Sequence, residues 1–159
     1  MTNEERFITF SLGKEEYGIS IGKVKEIIEM LDITPVPKAP DFVKGIINLR
    51  GKLIPVISLR QRFAMDAIDY DKGTCILVVD TEQKGVQKPL GIIVDSVSEV
   101  ITLEKDQIKP APSYNTGDIK NKYIPLIGKF KDKAIMLLKV DYIFFNEGNG
   151  AMVEGNGLG

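Results

Sequence analysis

Few residues in this sequence have the chemistry for catalysis, and their types narrow what the chain can do. It contains no His, which removes the commonest general base and the commonest metal ligand together. Its single Cys, Cys75, opens the apolar run CILVVD and cannot form an internal disulfide. A small buried hydrophobe fits that position better than a reactive thiol does. Two acids, Asp80 and Asp95, stand in apolar surroundings, each at the expected end of a strand. A carboxylate pair can serve glycoside hydrolysis, but a chain with 8% aromatics and no Trp offers no sugar-stacking cleft. Carboxylates accepting turn N–H groups account for both acids. Asp69, Asp71 and Gly73 superficially resemble a calcium loop, yet the Gly comes one place early and no Glu stands at position twelve. There is no phosphate-binding Gly loop followed by Lys-Ser/Thr, and no G-x-S-x-G elbow. The chain reads as a non-enzyme, with no metal and no cofactor expected.

Binding is the remaining class. The charges nearly balance, 21 basic against 22 acidic, so nothing demands nucleic acid or an anionic membrane as partner. A single-stranded nucleic-acid-binding barrel is the alternative reading, since small β-barrels do bind single strands through basic grooves and stacking aromatics. Here the densest basic cluster, Lys129-Phe130-Lys131-Asp132-Lys133, is interrupted by an acid and reads as a solvated hairpin tip. No apolar stretch approaches the ~18 residues of a membrane span, so no direct membrane insertion is expected. The polar start, Met1–Glu5, does not resemble a secretory signal. A reduced, cytoplasmic protein is expected.

The elements that would position a binding surface are short strands. Phe7–Leu12 alternates apolar and polar residues, and Tyr17–Ile21 follows a turn. Val24, Ile27, Ile28 and Leu31 then sit at i, i+3, i+4 and i+7, which predicts a short helix over Lys23–Met30. The run Thr34–Pro40 is extended, because each Pro biases its predecessor away from helix. One helical turn is expected over Asp41–Lys44 and a short helix over Leu59–Phe63. Between them, Lys44–Phe63 holds two β-prone runs split by Arg50-Gly51, the pattern of a tight hairpin. Leu53 lies in the apolar run after the turn and is expected in the core. Pro55 interrupts that run and predicts an edge or a bulge there.

The pattern then repeats. A shift of 81 superposes Ile46 on Ile127, Ile54 on Ile135 and Phe63 on Phe144; a shift of 73 superposes Tyr17–Ile28 on Leu90–Ile101. Gly18/Gly91, Val24/Val97 and Glu26/Glu99 are identical pairs. The difference of eight residues fits an insertion around Lys109–Lys122. One unit used twice, each with about five strands, predicts two small five-stranded barrels, which remove exposed sheet edges. The expected division is a first barrel over 6–68, a second over 74–145, and a flexible Gly/Asn-rich tail over 146–159.

The segments EEYGISIGKVKEI, FVKGIINLRGKLIPVISLR and LGIIVDSVSEVI followed by IKPAP resemble the CheW chemotaxis coupling proteins. The resemblance spans about Phe7–Phe145. It implies a mainly β fold of two SH3-like five-stranded barrels with short helices. It also implies a non-enzymatic adaptor joining the cytoplasmic tip of chemoreceptors to the regulatory domain of the CheA histidine kinase, in arrays at the membrane. By motif match, Val24, Glu26 and Arg50 are the positions implied to face the receptor, while kinase-facing positions remain open. The competing accounts are core packing for Val24 and a solvated turn residue for Arg50. Glu26 and Arg50 recur as Glu99 and Lys131, which suggests an acid at a helix end facing a hairpin tip in both barrels, with Glu26 paired to Arg50.

Overall fold

A computed structural model describes residues 4–112 and 123–143. The expected tail and the repeat partner Phe144 lie outside these residues. In chain order the elements are β1 (Glu4–Leu12), β2 (Glu15–Ser20), β3 (Val24–Glu29), β4 (Val43–Leu49), β5 (Lys52–Ser58), α1 (Leu59–Arg62), β6 (Cys75–Gln83), β7 (Val86–Val94), β8 (Ser96–Glu104), β9 (Ile108–Pro110), β10 (Leu126–Phe130) and β11 (Lys133–Leu137). They form two sheets, ordered β8-β1-β2-β11-β10-β9 and β3-β6-β7-β5-β4.

The sheets do not follow the expected division at 6–68 and 74–145. Each takes the leading hairpin of one repeat, β1–β2 or β6–β7, and the later strands of the other. The physical reason lies in the edges. A lone hairpin exposes unpaired N–H and C=O groups on both sides, and here the other repeat covers both sides of each leading hairpin. The pairings repeat. Phe7 opposite Ile101 in one sheet corresponds to Ile76 opposite Ile28 in the other, with the first strand of each repeat shifted by 69 rather than 73. Gly18 beside Leu137 in a parallel join corresponds to Gly91 beside Val56. A Cβ at Gly18 would sit 3.1 Å from a Leu137 methyl, and one at Gly91 3.1 Å from a Val56 methyl. The glycine shared by both repeats therefore marks where these strands pack closely.

Three apolar clusters follow from strand alternation. Ile47, Ile54, Val56, Ile76, Val78 and Ile93 fill one barrel. Phe7, Ile101, Leu103, Ile135 and Leu137 fill the other. The opposite faces of the same strands, with Phe10, Tyr17, Leu77, Val79 and Ile92, meet in a larger cluster between the barrels. Phe10, Tyr17, Phe63 and Tyr123 stack in series there, with centroids 5.6 to 6.5 Å apart.

Several local expectations change in three dimensions. Lys23–Met30 is not a helix: a 3-10 turn over Ile21–Lys23 leads into β3, which pairs with β6. Val24, Glu26 and Ile28 turn inward and Ile27 outward, so the apparent helical spacing mixed residues from two faces of a strand. The β-branched residues of this segment favour a pleated surface, and β6 supplies the ladder. Asp41 and Phe42 form a turn rather than a helical turn. Leu59–Arg62 is helical, with Ser58 accepting from the Gln61 N–H at 3.2 Å. Asp80 lies within β6, not at its end.

The hairpin tips agree with expectation. Arg50-Gly51 and Lys131-Asp132 have positive φ at both central residues, as type I′ turns require. Pro55 lies inside the sheet, yet β7 pairs only with Val56–Ser58. Pro55 therefore falls where that side of β5 has no ladder partner. Leu53 is 68% exposed. It follows the turn on the outward face of β5, opposite in direction to buried Ile54, so the expectation that it is core is wrong.

Tyr17 is fully buried, and its hydroxyl has no hydrogen-bond partner among the described residues. Burial, with a smaller contribution from the Glu15 charge, pushes its pKa up to about 12. A folded pKa above the unfolded one means stability is intact below pH ~10 and is lost as pH rises toward 12. Tyr17→Phe should melt no lower than the parent at pH 7, because it removes a buried unpaired hydroxyl. It should also lack the parent's loss of stability between pH 10 and 12, measured by circular dichroism melts across that range.

Candidate docking site at a barrel mouth

Glu26 on β3 and Arg50 at the β4–β5 tip come together. The Arg50 guanidinium donates to the Glu26 carboxylate through Nη2. β3 and β4 are the two outer strands of their sheet, so this pair spans the mouth of the barrel. The tip is held by Asn48, whose side-chain oxygen accepts from the Gly51 N–H at 3.0 Å. Beside the pair, Lys25 Nζ lies 3.6 Å from the Asp80 carboxylate. The acid is thus on a strand, not at a helix end as expected.

Around the pair lies a cleft of about 150 Å³, floored by Leu49, Ile54, Val78 and Pro89 and rimmed by Lys25, Glu26, Arg50 and Lys52. Leu53, 68% exposed, projects from β5 just after the tip that carries Arg50, whereas Ile27, 45% exposed, lies on the face of β3 opposite to Glu26. The Arg50 side chain is itself mostly exposed, which leaves donors free of Glu26 to meet a partner. Val24 does not join this group; it is partly buried against the cluster between the barrels. On the sequence alone Ile27 falls on a helical stripe and Leu53 in the core, and neither is marked as exposed. Strand alternation at β3 would have exposed Ile27, but the helical period concealed it.

The second copy does not repeat the arrangement. No ion pair joins Glu99 to Lys131 among the described residues. Lys131 Nζ instead lies 5.3 Å from the centre of the Phe130 ring. The second copy also has an added strand, β9, along β10, and Gln107 just before it donates to the Lys129 carbonyl at 3.1 Å. The two mouths are therefore unlike, although their strands are equivalent.

Asp95 takes a structural part. It accepts from the Gly13 N–H at 2.7 Å, as a turn carboxylate should, and it also holds Arg60 through two bonds of 2.8 and 2.7 Å. The hydrogen bonds from Arg60 are the main reason its carboxyl lies below the usual range. Arg62 is 6% exposed. It donates to the Ile143 carbonyl at 2.6 Å and to the Tyr123 hydroxyl, and its guanidinium lies between the Phe42 and Tyr123 rings, 4.4 and 4.9 Å from their centres. Burial lowers its pKa. Burial also pushes the Cys75 thiol up, the opposite of what a reactive cysteine needs. The Asp71 carboxylate accepts from the Gly73 and Thr74 N–H groups in a local turn, at 2.8 and 3.2 Å.

The profile of the CheW-like domain family matches residues 6–147. The chain is similar to the chemotaxis protein CheW of Klebsiella aerogenes, 37% identical over 143 residues, covering 90% of this chain and 83% of that one. It is similar to the chemotaxis protein CheW of Treponema pallidum, at 35% over 150 residues, covering 89% and 84%. The crystal structure of the scaffolding protein TtCheW from Thermoanaerobacter tengcongensis superposes with a TM-score of 0.80 at 38% identity, covering 92% of this chain and 94% of that one.

Proposed function

We propose that this chain, which belongs to the CheW-like domain family, is a non-enzymatic adaptor coupling chemoreceptor cytoplasmic tips to a CheA-type histidine kinase. It works in the cytoplasm and is recruited to receptor arrays at the membrane. The receptor-facing surface is the barrel mouth carrying Glu26 and Arg50, with Val24 supporting β3 from the core side. The observation that carries this assignment is the oriented ion pair at the rim of the cleft, with exposed Leu53 on the strand that leaves the Arg50 tip. A receptor tip is a helical hairpin, and a helix docks by placing spaced apolar anchors against such a surface. Charge fixed beside the anchors gives register and specificity more than raw affinity. The nucleic-acid alternative calls for a face of exposed stacking aromatics, whereas Phe10, Tyr17, Phe63 and Tyr123 stack with one another in the buried core.

The test is a pull-down with purified receptor tips and kinase, separately and together, on the parent and two variants. Arg50→Ala and Leu53→Asp should each shift the melting temperature by no more than about 3 °C, because both side chains are exposed. Each should weaken receptor-tip binding about tenfold or more and reduce kinase activation. Parent affinity in both variants would place the receptor surface elsewhere.

A further inference from the structure

The strand order has a consequence for how the chain holds together. Cut between its repeats, the first half would contain two hairpins, β1–β2 and β4–β5, and a strand β3, whose ladder among the described residues is with β6. The second half would contain the β6–β7 hairpin, the β9–β10–β11 meander, and β8, whose ladder among the described residues is with β1. The joins β1·β8, β2·β11, β3·β6 and β5·β7 all run between the halves. All three apolar clusters draw residues from both halves. So do Arg60–Asp95, Arg62–Ile143, Lys23–Asp141 and Lys25–Asp80. By contrast, nearly every residue of the connector from Ala64 to Gly73 is exposed.

We propose that each repeat is an incomplete module whose docking partner is the other repeat, and that the covalent connector between them is dispensable. The fold is then a heterodimer in one chain, with an interface consisting of four strand joins and the central cluster. Isolated hairpins are marginal in water, so neither half has a stable fold without its partner. Together they reproduce every ladder and every cluster, because the connector adds to these only Met65, which packs against the central cluster and stays with the first fragment.

The experiment places a protease site between Ile68 and Asp69 of the full chain and cleaves the folded protein. The cleaved protein should elute as a single 1:1 complex with the parent's circular dichroism spectrum. Its melting temperature should fall on tenfold dilution, whereas that of the uncut chain should not, because only the cleaved form dissociates on unfolding. Separated in denaturant and refolded singly, each fragment should show no cooperative melt, and mixing should restore the native spectrum. A cooperative melt from either fragment alone would overturn the proposal. So would failure of the mixture to regain structure, or loss of the fold on inserting the site, which would make the connector part of the structure.

Discussion

Gly45→Ala should abolish the native fold at ordinary growth temperatures, a loss of about 4 kcal/mol or more. Gly45 lies at the bulge in β4 with φ +142°, and a Cβ there would stand 2.0 Å from the Thr34 carbonyl oxygen. That oxygen accepts from the Ile46 N–H at 2.9 Å, and the Thr34 N–H donates back to the Ile46 carbonyl at 2.9 Å. The proline-bearing strap after β3 thus bonds to β4 across the gap left by the glycine. This contact brings together the two outer strands of the sheet and closes the barrel. Any side chain must push the strap away or twist the backbone, and neither motion is local. Gly51→Ala is the control, with positive φ but open space around the missing Cβ. It should cost only about 1 kcal/mol. Denaturant melts of the two variants separate the contributions, and equal losses would show that φ, not the strap, is limiting.

Arg62→Ala should be nearly as damaging, at about 4 kcal/mol, or roughly a 10 °C fall in melting temperature. The side chain is buried and joins the Ile143 carbonyl, the Tyr123 hydroxyl and the faces of Phe42 and Tyr123. Under the shift of 81, Arg62 is the repeat equivalent of Ile143 and Phe42 that of Tyr123. Arg62 therefore sits between corresponding parts of the two copies, near the axis that relates them. Truncation removes two buried hydrogen bonds and two ring contacts and leaves a void. Arg62→Lys should recover little, because an ammonium lacks the planar fork that stacks between rings while donating sideways. A Lys variant melting like the parent would show that charge alone suffices.

The sequence was informative wherever the cause was local. Turn chemistry at Arg50-Gly51 and Lys131-Asp132 follows from two positive φ values, and the short helix expected over Leu59–Phe63 forms over Leu59–Arg62. It was misleading where residues from both faces of a strand could be mistaken for a helical stripe, as at Val24–Leu31. It was also misleading where an apolar residue beside a turn could point either way, as Leu53 does. Of the candidate site, the Glu26–Arg50 pair forms as expected, but the repeat that suggested it does not explain it, since Glu99 and Lys131 make no such pair among the described residues. The exposure of Ile27 and Leu53 was not legible, since it depends on which face the neighbouring strands cover.

By itself the sequence determined that the chain is mainly β, that one unit occurs twice, and that shifts of 73 and 81 relate its second strands and its later hairpins. Those properties rest on periodicity and turn residues, which are written into neighbouring positions. Only the tertiary structure decided which hairpin pairs with which. Within one repeat or across two, the strands would offer the same alternation and the same edges. The choice depends on how the chain crosses after β2 and β7, and on the close approach that Gly18 and Gly91 permit at the parallel joins. Neither the crossing nor the approach leaves a mark in local sequence, so two barrels were foreseeable and their exchange of strands was not.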